Sequence, residues 1–352
     1  MGTKTLVFIL LLLTQASHAG LNDELMKASK KGDTTKIISL IEQGADIHTK
    51  IPVKAPMYIS WRTLLHEAAY RGDLKLTAYL IDKGLAVGSP DAEKKTALQY
   101  AAWNKHLALV HLLIKKKANV NHRDFAGYSV LHFAAMGGSV RIVQVLVAKG
   151  ADVMARTSNR ITVLHSAVSR KNIRMVTFLL DKGIPVNVTD ELGTTALQIA
   201  AKRGDWHLCN LLISKGANVN LSSARGWTPL HYAALNRHVE VVELLLDKAA
   251  RINARDSRDE TALHKCLTIG GNINMVQLLL SRDIEVNAQN IHGETALHIA
   301  SQFRNVKIVK RLLNHGAKVN IKTKKGKTAL DMAGTKEMKD MLIKHGAKSG
   351  GK

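Results

Sequence analysis

The sequence predicts an all-α fold, a solenoid of helix-turn-helix repeats joined by β-turn finger loops, because one short motif and a pair of small residues recur in a fixed register along most of the chain.

 

A tetrapeptide of the general form Thr-x-Leu-His recurs nine times, and successive copies start 33 residues apart, with one spacing of 34. A pair of small residues, most often Ala-Ala, follows five and six residues after the threonine, and a Gly-Ala pair stands 21 residues after three of the starts, at Gly150, Gly216 and Gly316. Motifs that keep one such register are typical of stacked helical repeats. The copies begin at Thr63, Thr96, Ser129, Thr162, Thr195, Thr228, Thr261, Thr295 and Thr328.

Each copy of the pattern specifies one pair of helices. The threonine hydroxyl can accept a hydrogen bond from a free N–H group of the first turn, so it marks the start of the first helix. The alanine pair gives that helix a small apolar face that a neighbouring helix can approach closely. A second helix carries longer apolar side chains, such as Val241, Val242 and Leu245, and a glycine such as Gly150 ends it. Only stacking on the next pair can bury the apolar face of each pair.

Composition agrees with one folded array and excludes several other classes of protein. The 352 residues are 46% hydrophobic, which is enough for a core and excludes a disordered basic chain. Two cysteines exclude a disulfide scaffold and a four-cysteine zinc site. The 51 Lys and Arg residues against 28 Asp and Glu residues give a net charge of +23, which would attract an acidic partner.

The first 19 residues are predicted to be a signal peptide. Lys4 precedes the apolar run Leu6–Leu13, and the small residues Ser17 and Ala19 form a cleavage site of the usual kind. The run is far shorter than the ~20 residues that span a bilayer. The alternative is an uncleaved membrane anchor. We expect an exported protein, either periplasmic or secreted.

The remaining chain is predicted to be a single repeat domain over residues 20–350, with about eight full repeats between two capping units. The first repeat interval is seven residues longer than the period, and the extra residues fall within 49–61. This apolar stretch is either a finger that contacts a partner or a flap folded over the first repeat. The predicted segments are an N-terminal cap with an extended finger over 20–62, full repeats over 63–327, a C-terminal cap over 328–348 and a tail over 349–352.

The motifs resemble the ankyrin repeat, whose pattern is Thr-Pro-Leu-His followed by Ala-Ala, Leu-Leu and Gly-Ala, over about residues 21–348. The resemblance implies a non-catalytic module that binds a protein partner in a concave groove. In that family the groove is formed by the finger tips before each threonine and by the exposed face of the first helix. The corresponding residues here are Tyr70, Arg71, Trp103, Asn104, Phe125, Tyr128, Met136, Arg170, Lys202, Arg203, Arg225, Trp227, Leu235, Arg258 and Phe303.

Aromatic and arginine side chains in this set are the expected anchors, because these residue types dominate binding energy at interfaces. We expect a monomer that binds an acidic protein partner. The alternative is that a bulky residue just before the threonine packs against its own finger, as Tyr128 and Trp227 could. The predicted anchors are Tyr70, Trp103, Tyr128, Trp227 and Phe303, with a rim of Arg71, Arg170, Arg203 and Arg225.

A second hypothesis places an anion site at the C-terminal end. Residues 301–352 hold 14 Lys and Arg residues against three Asp and Glu residues. Four lysines gather on one finger, where they could bind nucleic acid or anionic lipid. The alternative is a solvated cap that favours solubility. These lysines are Lys322, Lys324, Lys325 and Lys327.

No catalytic, metal or cofactor site is predicted. Six of the 16 histidines occupy the fourth position of the tetrapeptide, where an imidazole can bond the threonine hydroxyl and the backbone of the next repeat. Cys209 and Cys266 lie two repeats apart, too far for a disulfide, and are expected to be buried. Asn187 and Asn220 begin glycosylation sequons but recur at a turn position, so we expect turn hydrogen bonds there.

Overall fold

The computed structural model describes residues 19–54, 59–268 and 270–351. The predicted signal peptide lies outside the described residues except for Ala19, and so does the tip of the extended finger at 55–58. The chain divides into two compact units, an N-terminal unit that ends at Met175 and a C-terminal unit that begins at Val176.

Helices in both units follow the predicted pairs. The described elements up to the division are α1 (19–31), α2 (Thr34–Glu42), β1 (Lys50–Lys54), β2 (Ile59–Thr63), α3 (Leu64–Arg71), α4 (Leu74–Asp82), α5 (Ala97–Trp103), α6 (Leu107–Lys115), α7 (Val130–Gly137), α8 (Val140–Ala148), α9 (Val163–Ser169) and α10 (Ile173–Asp181), in which the division falls. The elements after it are α11 (Ala196–Lys202), α12 (Trp206–Ser214), α13 (Pro229–Leu235), α14 (Val239–Asp247), α15 (Ala262–Leu267), α16 (Ile273–Leu280), α17 (Ala296–Gln302), α18 (Val306–Asn314) and α19 (Lys336–Lys344).

Each unit is built from two layers of stacked helices. In the N-terminal unit the first helices α3, α5, α7 and α9 contact one another in order, and the second helices α2, α4, α6 and α8 form the other layer. In the C-terminal unit α11, α13, α15 and α17 form one layer and α12, α14, α16 and α18 the other. Alanine pairs such as Ala101 and Ala102 are fully buried in the first-helix layers. The predicted all-α repeat fold is therefore confirmed.

The extended finger forms an antiparallel hairpin that the repeat pattern did not predict. Strands β1 and β2 pair with Ile51 opposite Arg62 and Val53 opposite Ser60. Ile51 and Ser60 are buried, whereas Trp61 is exposed. The backbone of the next finger is tied to this hairpin, because the Ala92 N–H donates to the Trp61 carbonyl at 3.3 Å. The described part of the insertion is thus ordered by backbone pairing.

The fourth residue of the tetrapeptide joins its repeat to the next within each unit, as predicted for the histidines. Nδ1 of His132 accepts from the Ser129 N–H at 3.2 Å, and its Nε2 lies 3.1 Å from the Ile161 carbonyl, 29 residues later. That carbonyl can only accept, so the neutral ring carries its proton on Nε2. In the repeat before, Gln99 makes the same pair of bonds, to the Thr96 N–H and the Tyr128 carbonyl.

Asparagines at the predicted turn position form a second row of bonds between repeats. The Asn187 amide donates to the Gly216 carbonyl at 3.2 Å, and its oxygen accepts from the Asn218 N–H at 2.8 Å. Asn220 bonds Ala249 and Arg251 in the same way. Both sequon asparagines are therefore engaged in hydrogen bonds as structural residues, but their side chains bond the next repeat rather than their own turn.

The C-terminal cap replaces its first helix with turns over residues 329–332. Asp331 stands where other repeats carry histidine or glutamine, and it accepts from the Thr328 N–H at 2.8 Å. It also accepts from the Ser349 hydroxyl at 2.6 Å and the Gly350 N–H at 2.8 Å. The hydrogen bond from Ser349 and those from the backbone hold the pKa of this carboxyl well below its usual range. The chain end therefore takes the place of a following finger.

Four cationic residues stand between paired helices at the position that Gly72, Gly138 and Gly204 occupy in other repeats. Their φ angles are 66° at Lys105, 55° at Lys171, 63° at Arg237 and 58° at Arg304. Left-handed backbone strains a residue that has a Cβ atom. Each of these four residues therefore carries some local strain.

Acid should destabilise the fold through the buried histidines that join one repeat to the next. Burial lowers the pKa of His132 to about 4. The unfolded chain has an ordinary histidine pKa of about 6.5, so it binds more protons and stability falls as the pH drops from about 6.5 towards 4. His132→Gln keeps both hydrogen bonds, as Gln99 does, and should remove about 2–3 kcal/mol of that loss at pH 4.5. Urea unfolding at pH 7.5 and 4.5 measures this. An unchanged pH dependence in the variant would contradict it.

Candidate partner-binding surface

A row of aromatic and soft apolar side chains lies along the first helices of the N-terminal unit. Tyr70 on α3, Trp103 on α5 and Met136 on α7 each stand seven residues after the start of their repeat. Tyr70 is 41% exposed, Trp103 is 36% exposed and Met136 is half-buried. Tyr100 and Phe133 are buried on the same helices. The aromatic strip is defined here as Tyr70, Tyr100, Trp103, Tyr128, Phe133 and Met136.

The hairpin finger supplies Arg62 to one end of the aromatic strip. The guanidinium carbon of Arg62 lies 4.8 Å from the ring centroid of Tyr70 and 4.3 Å from that of Tyr100. Its Nε donates to the Tyr100 hydroxyl at 3.1 Å, and that hydroxyl donates to Asp91 at 2.6 Å. Burial, followed by the hydrogen bond to Asp91, raises the pKa of Tyr100 well above its ordinary value. The hydroxyl therefore remains a donor, and the rings are held in place.

The other end of the strip is a cluster of three rings. The centroid of Phe133 lies 5.8 Å from that of Trp103 and 6.1 Å from that of Tyr128. Tyr128 also meets the ring of His132 edge-on at 5.7 Å. Because Gln99 holds the Tyr128 carbonyl at 2.9 Å, the bond between repeats also fixes the backbone of a strip residue.

Three other predicted residues of the N-terminal unit have different surroundings. Phe125 is a finger-tip residue, 65% exposed, with the Lys94 ammonium 4.6 Å from its ring centroid. Asn104 follows α5, and its amide donates to the Tyr100 carbonyl at 3.1 Å. Arg170 is exposed just after α9.

Positive charges beside the strip are paired within the unit. Glu67 accepts from Arg71 at 2.8 Å and lies 3.6 Å from the Arg62 guanidinium. Arg71 also donates to the Lys30 carbonyl at 2.7 Å. Lys95 forms an ion pair with Glu93. The strip is thus an apolar and aromatic surface whose neighbouring charges are largely balanced.

The predicted residues of the C-terminal unit are mostly exposed. Lys202 and Arg203 stand at the end of α11, and Arg225 and Arg258 stand at finger positions. Phe303 follows α17 and is 47% exposed.

Trp227 and Leu235 are half-buried. The ring centroid of Trp227 lies 5.0 Å from that of Tyr232 and 4.4 Å from the Lys265 ammonium. Trp227 therefore packs partly against its own repeat and partly over a cation.

A buried ion cluster lies beneath Trp227. The Lys265 ammonium is 2.6 Å from the Asp256 carboxylate and also pairs with Glu260, and all three side chains are largely removed from solvent. Burial alone would raise the pKa of Asp256, but hydrogen bonds from Lys265 and from the N–H groups of Glu260 and Arg258 outweigh it and lower that pKa. This cluster was not predicted from the sequence.

The residues that stand four positions after a repeat start were also not predicted as part of the surface. In four of the repeats these residues are Tyr100, Phe133, Tyr232 and Lys265. Residues three apart lie on one face of a helix, so the seventh position could have indicated the fourth.

Loss of the Lys265 charge should destabilise the C-terminal unit. Lys265→Met leaves Asp256 and Glu260 buried without their cation, which costs about 3–5 kcal/mol. Adding Asp256→Asn and Glu260→Gln should recover part of that loss, because no unpaired buried charge then remains. Urea unfolding of the single and triple variants measures both effects. A single variant as stable as the natural chain would contradict this account.

The cations of the last two repeats, unlike those beside the aromatic strip, have no ion-pair partner within the described residues. Lys322, Lys324, Lys325 and Lys327 are exposed, and none of them forms an ion pair within the described residues. Lys322 donates to the Gly350 carbonyl at 2.7 Å. The described second helix α18 adds Lys307, Lys310 and Arg311, also without an ion pair.

Burial raises the pKa of Cys209 and of Cys266 to about 12, so both thiols stay protonated, and both are free and buried as expected. Within the described ranges, no group of three or more histidine, cysteine, aspartate or glutamate side chains is placed to hold a metal ion. None of the described helices has the length and apolar character needed to cross a bilayer.

Comparison with known families agrees with the fold. A family model described as ankyrin repeats (3 copies) matches residues 25–124, 123–190, 183–256, 199–290 and 263–350. No curated protein was found that matches the chain. Ankyrin repeats generally mediate protein–protein interaction and are typically not enzymes. Since the matches extend over most of its length, the chain belongs to the ankyrin-repeat family.

Proposed function

We propose that this chain is a non-catalytic, monomeric binding module that holds a protein partner on the aromatic strip of the N-terminal unit. The observation that carries the proposal is the partial exposure of Tyr70 and Trp103 at the same position of adjacent first helices. Large rings that remain open to solvent while packed from below are suited to anchor a partner, because they lose little conformational freedom on binding.

The surroundings of the strip support this role. Arg62 stacks on two of its rings, and Phe133 joins Trp103 to Tyr128, so the surface is ordered before a partner arrives. A preordered surface avoids part of the entropy loss of association. The net charge of +23 would steer an acidic partner over longer distances, as predicted from composition.

Export is part of the proposal. The charged, apolar and small-residue segments of residues 1–19 support cleavage after Ala19 and a periplasmic or secreted location. N-terminal sequencing of the protein recovered from its source should begin at Gly20. Recovery of the intact N-terminus with the protein held in a membrane would contradict export.

Replacement of Trp103 should weaken partner binding. The full chain is immobilised, bound proteins are identified from source cells and from candidate host cells, and their affinities are measured with purified partner. Trp103→Ala should raise the Kd at least tenfold, as expected when a packed interface ring is removed. The matched control is Trp206→Ala, which removes a tryptophan that is 38% exposed on a second helix. Thermal unfolding checks that both variants fold.

Two results would contradict the assignment to the strip. A partner that binds Trp103→Ala and the natural chain equally does not use the strip. Equal losses in Trp103→Ala and Trp206→Ala would indicate a general defect in the protein.

The second candidate function is binding of an anionic surface, nucleic acid or lipid, by the C-terminal lysines. The absence of ion pairs from this finger in the described residues favours it. In the same capture experiment, such a ligand would be lost at about 0.3 M salt, because contacts to phosphates weaken steeply with salt. It would also be lost when Lys324, Lys325 and Lys327 are replaced by glutamine, and retained in Trp103→Ala.

A further inference from the structure

Three side chains of the aromatic strip are spaced like the helices that carry them. Tyr70, Trp103 and Met136 occupy one position on α3, α5 and α7, which are direct neighbours in the stack. Packed helices lie about 8–10 Å apart, so these side chains recur at about that distance. A polyproline II helix rises about 3.1 Å per residue with three residues per turn, so every third residue recurs on one side after about 9 Å. The two periods match.

Other peptide conformations fit less well. Residues on one side of a β-strand recur at about 7 Å, which does not match the strip. An α-helix has matching residues at seven-residue intervals, about 10 Å apart, but it is wide. Its carbonyl oxygens are also bonded within the helix, so they could not accept from donors on the strip.

The strip also offers hydrogen-bond donors of the right kind. The Tyr70 hydroxyl and the Trp103 indole N–H have no hydrogen-bond partner in the described part of the chain. A polyproline II segment makes no internal hydrogen bonds, so its carbonyl oxygens are free to accept from such donors. Aromatic rings with donors are the surface that proline-rich segments use in general.

The ion pairs beside the strip also favour an uncharged segment as the ligand. Arg62 and Arg71 share Glu67, and Lys95 pairs with Glu93, so each of these three cations beside the strip already has a carboxylate partner. We propose that the occupant of the aromatic strip is an extended, proline-rich segment of the partner in the polyproline II conformation, with prolines on Tyr70 and Trp103. This inference rests on the proposed function and specifies the chemistry of the partner.

Synthetic peptides test the inference on the full chain. The probe is a twelve-residue peptide of four Pro-Leu-Pro triplets, and the comparison peptide replaces every proline by alanine. Titration by calorimetry should give saturable binding of the probe, at least tenfold weaker binding of the alanine peptide, and at least tenfold weaker binding of the probe to Trp103→Ala. Tyr70→Phe, which removes one hydroxyl, should weaken the probe several-fold, and Trp206→Ala should leave its affinity unchanged.

The outcomes separate this inference from the proposed function. A Kd of about 1 mM corresponds to only about 4 kcal/mol of binding free energy. If the proline probe shows no saturable binding up to that concentration, the polyproline II assignment is overturned. Equal binding of the alanine peptide, lost in Trp103→Ala, overturns that assignment while leaving the strip as the binding surface. Probe binding that is unaffected by Trp103→Ala overturns the location.

Discussion

The bond between repeats at the fourth residue of the tetrapeptide is the interaction on which the rest of the structure depends. A single helix pair exposes the apolar face that its neighbours must cover. His132 or Gln99 accepts from its own repeat and donates to the finger of the next, so one side chain fixes both the start of a helix and the placement of a loop. Gln99 holds the carbonyl of Tyr128, and Gln198, at the same position of its repeat, holds that of Trp227; both carbonyls belong to residues of the candidate surfaces.

Regular stacking also determines what kind of surface can form. Residues 33 apart in the sequence occupy the same place on neighbouring first helices. The residue type at one position of the repeat therefore determines a row of side chains across the stack. In the N-terminal unit that row is aromatic and its neighbouring charges are paired. In the C-terminal unit, Lys265 stands four residues after its repeat start, as Tyr100 and Phe133 do in the N-terminal unit, but it is buried among carboxylates. The last finger carries lysines that form no ion pair within the described residues. The two units therefore offer different chemistry from the same repeat.

Sequence reasoning predicted the fold because the period is encoded locally. Thr63 and its equivalents mark helix starts, the alanine pairs permit close packing, and the φ angles at Lys105 and Arg237 follow from their place in the repeat. The pairing of β1 with β2 was not predicted because it lies in an insertion outside the repeat pattern. The Lys265 cluster was not predicted because Asp256, Glu260 and Lys265 occur together in a single repeat, which the period does not specify. The exposed residues of the candidate surface followed from their offsets in the period, whereas the buried Tyr100 and Phe133 did not, since burial of a ring depends on its neighbours.

The most direct test of the central claim is photocrosslinking from the aromatic strip. A photoreactive phenylalanine analogue is placed at Trp103 in one protein and at Trp206 in another, and each is illuminated with the captured partner. The account predicts a covalent adduct from position 103, mapped by mass spectrometry to a proline-rich segment of the partner, and none from position 206. An adduct from position 206 with none from position 103 would contradict the assignment of the binding surface.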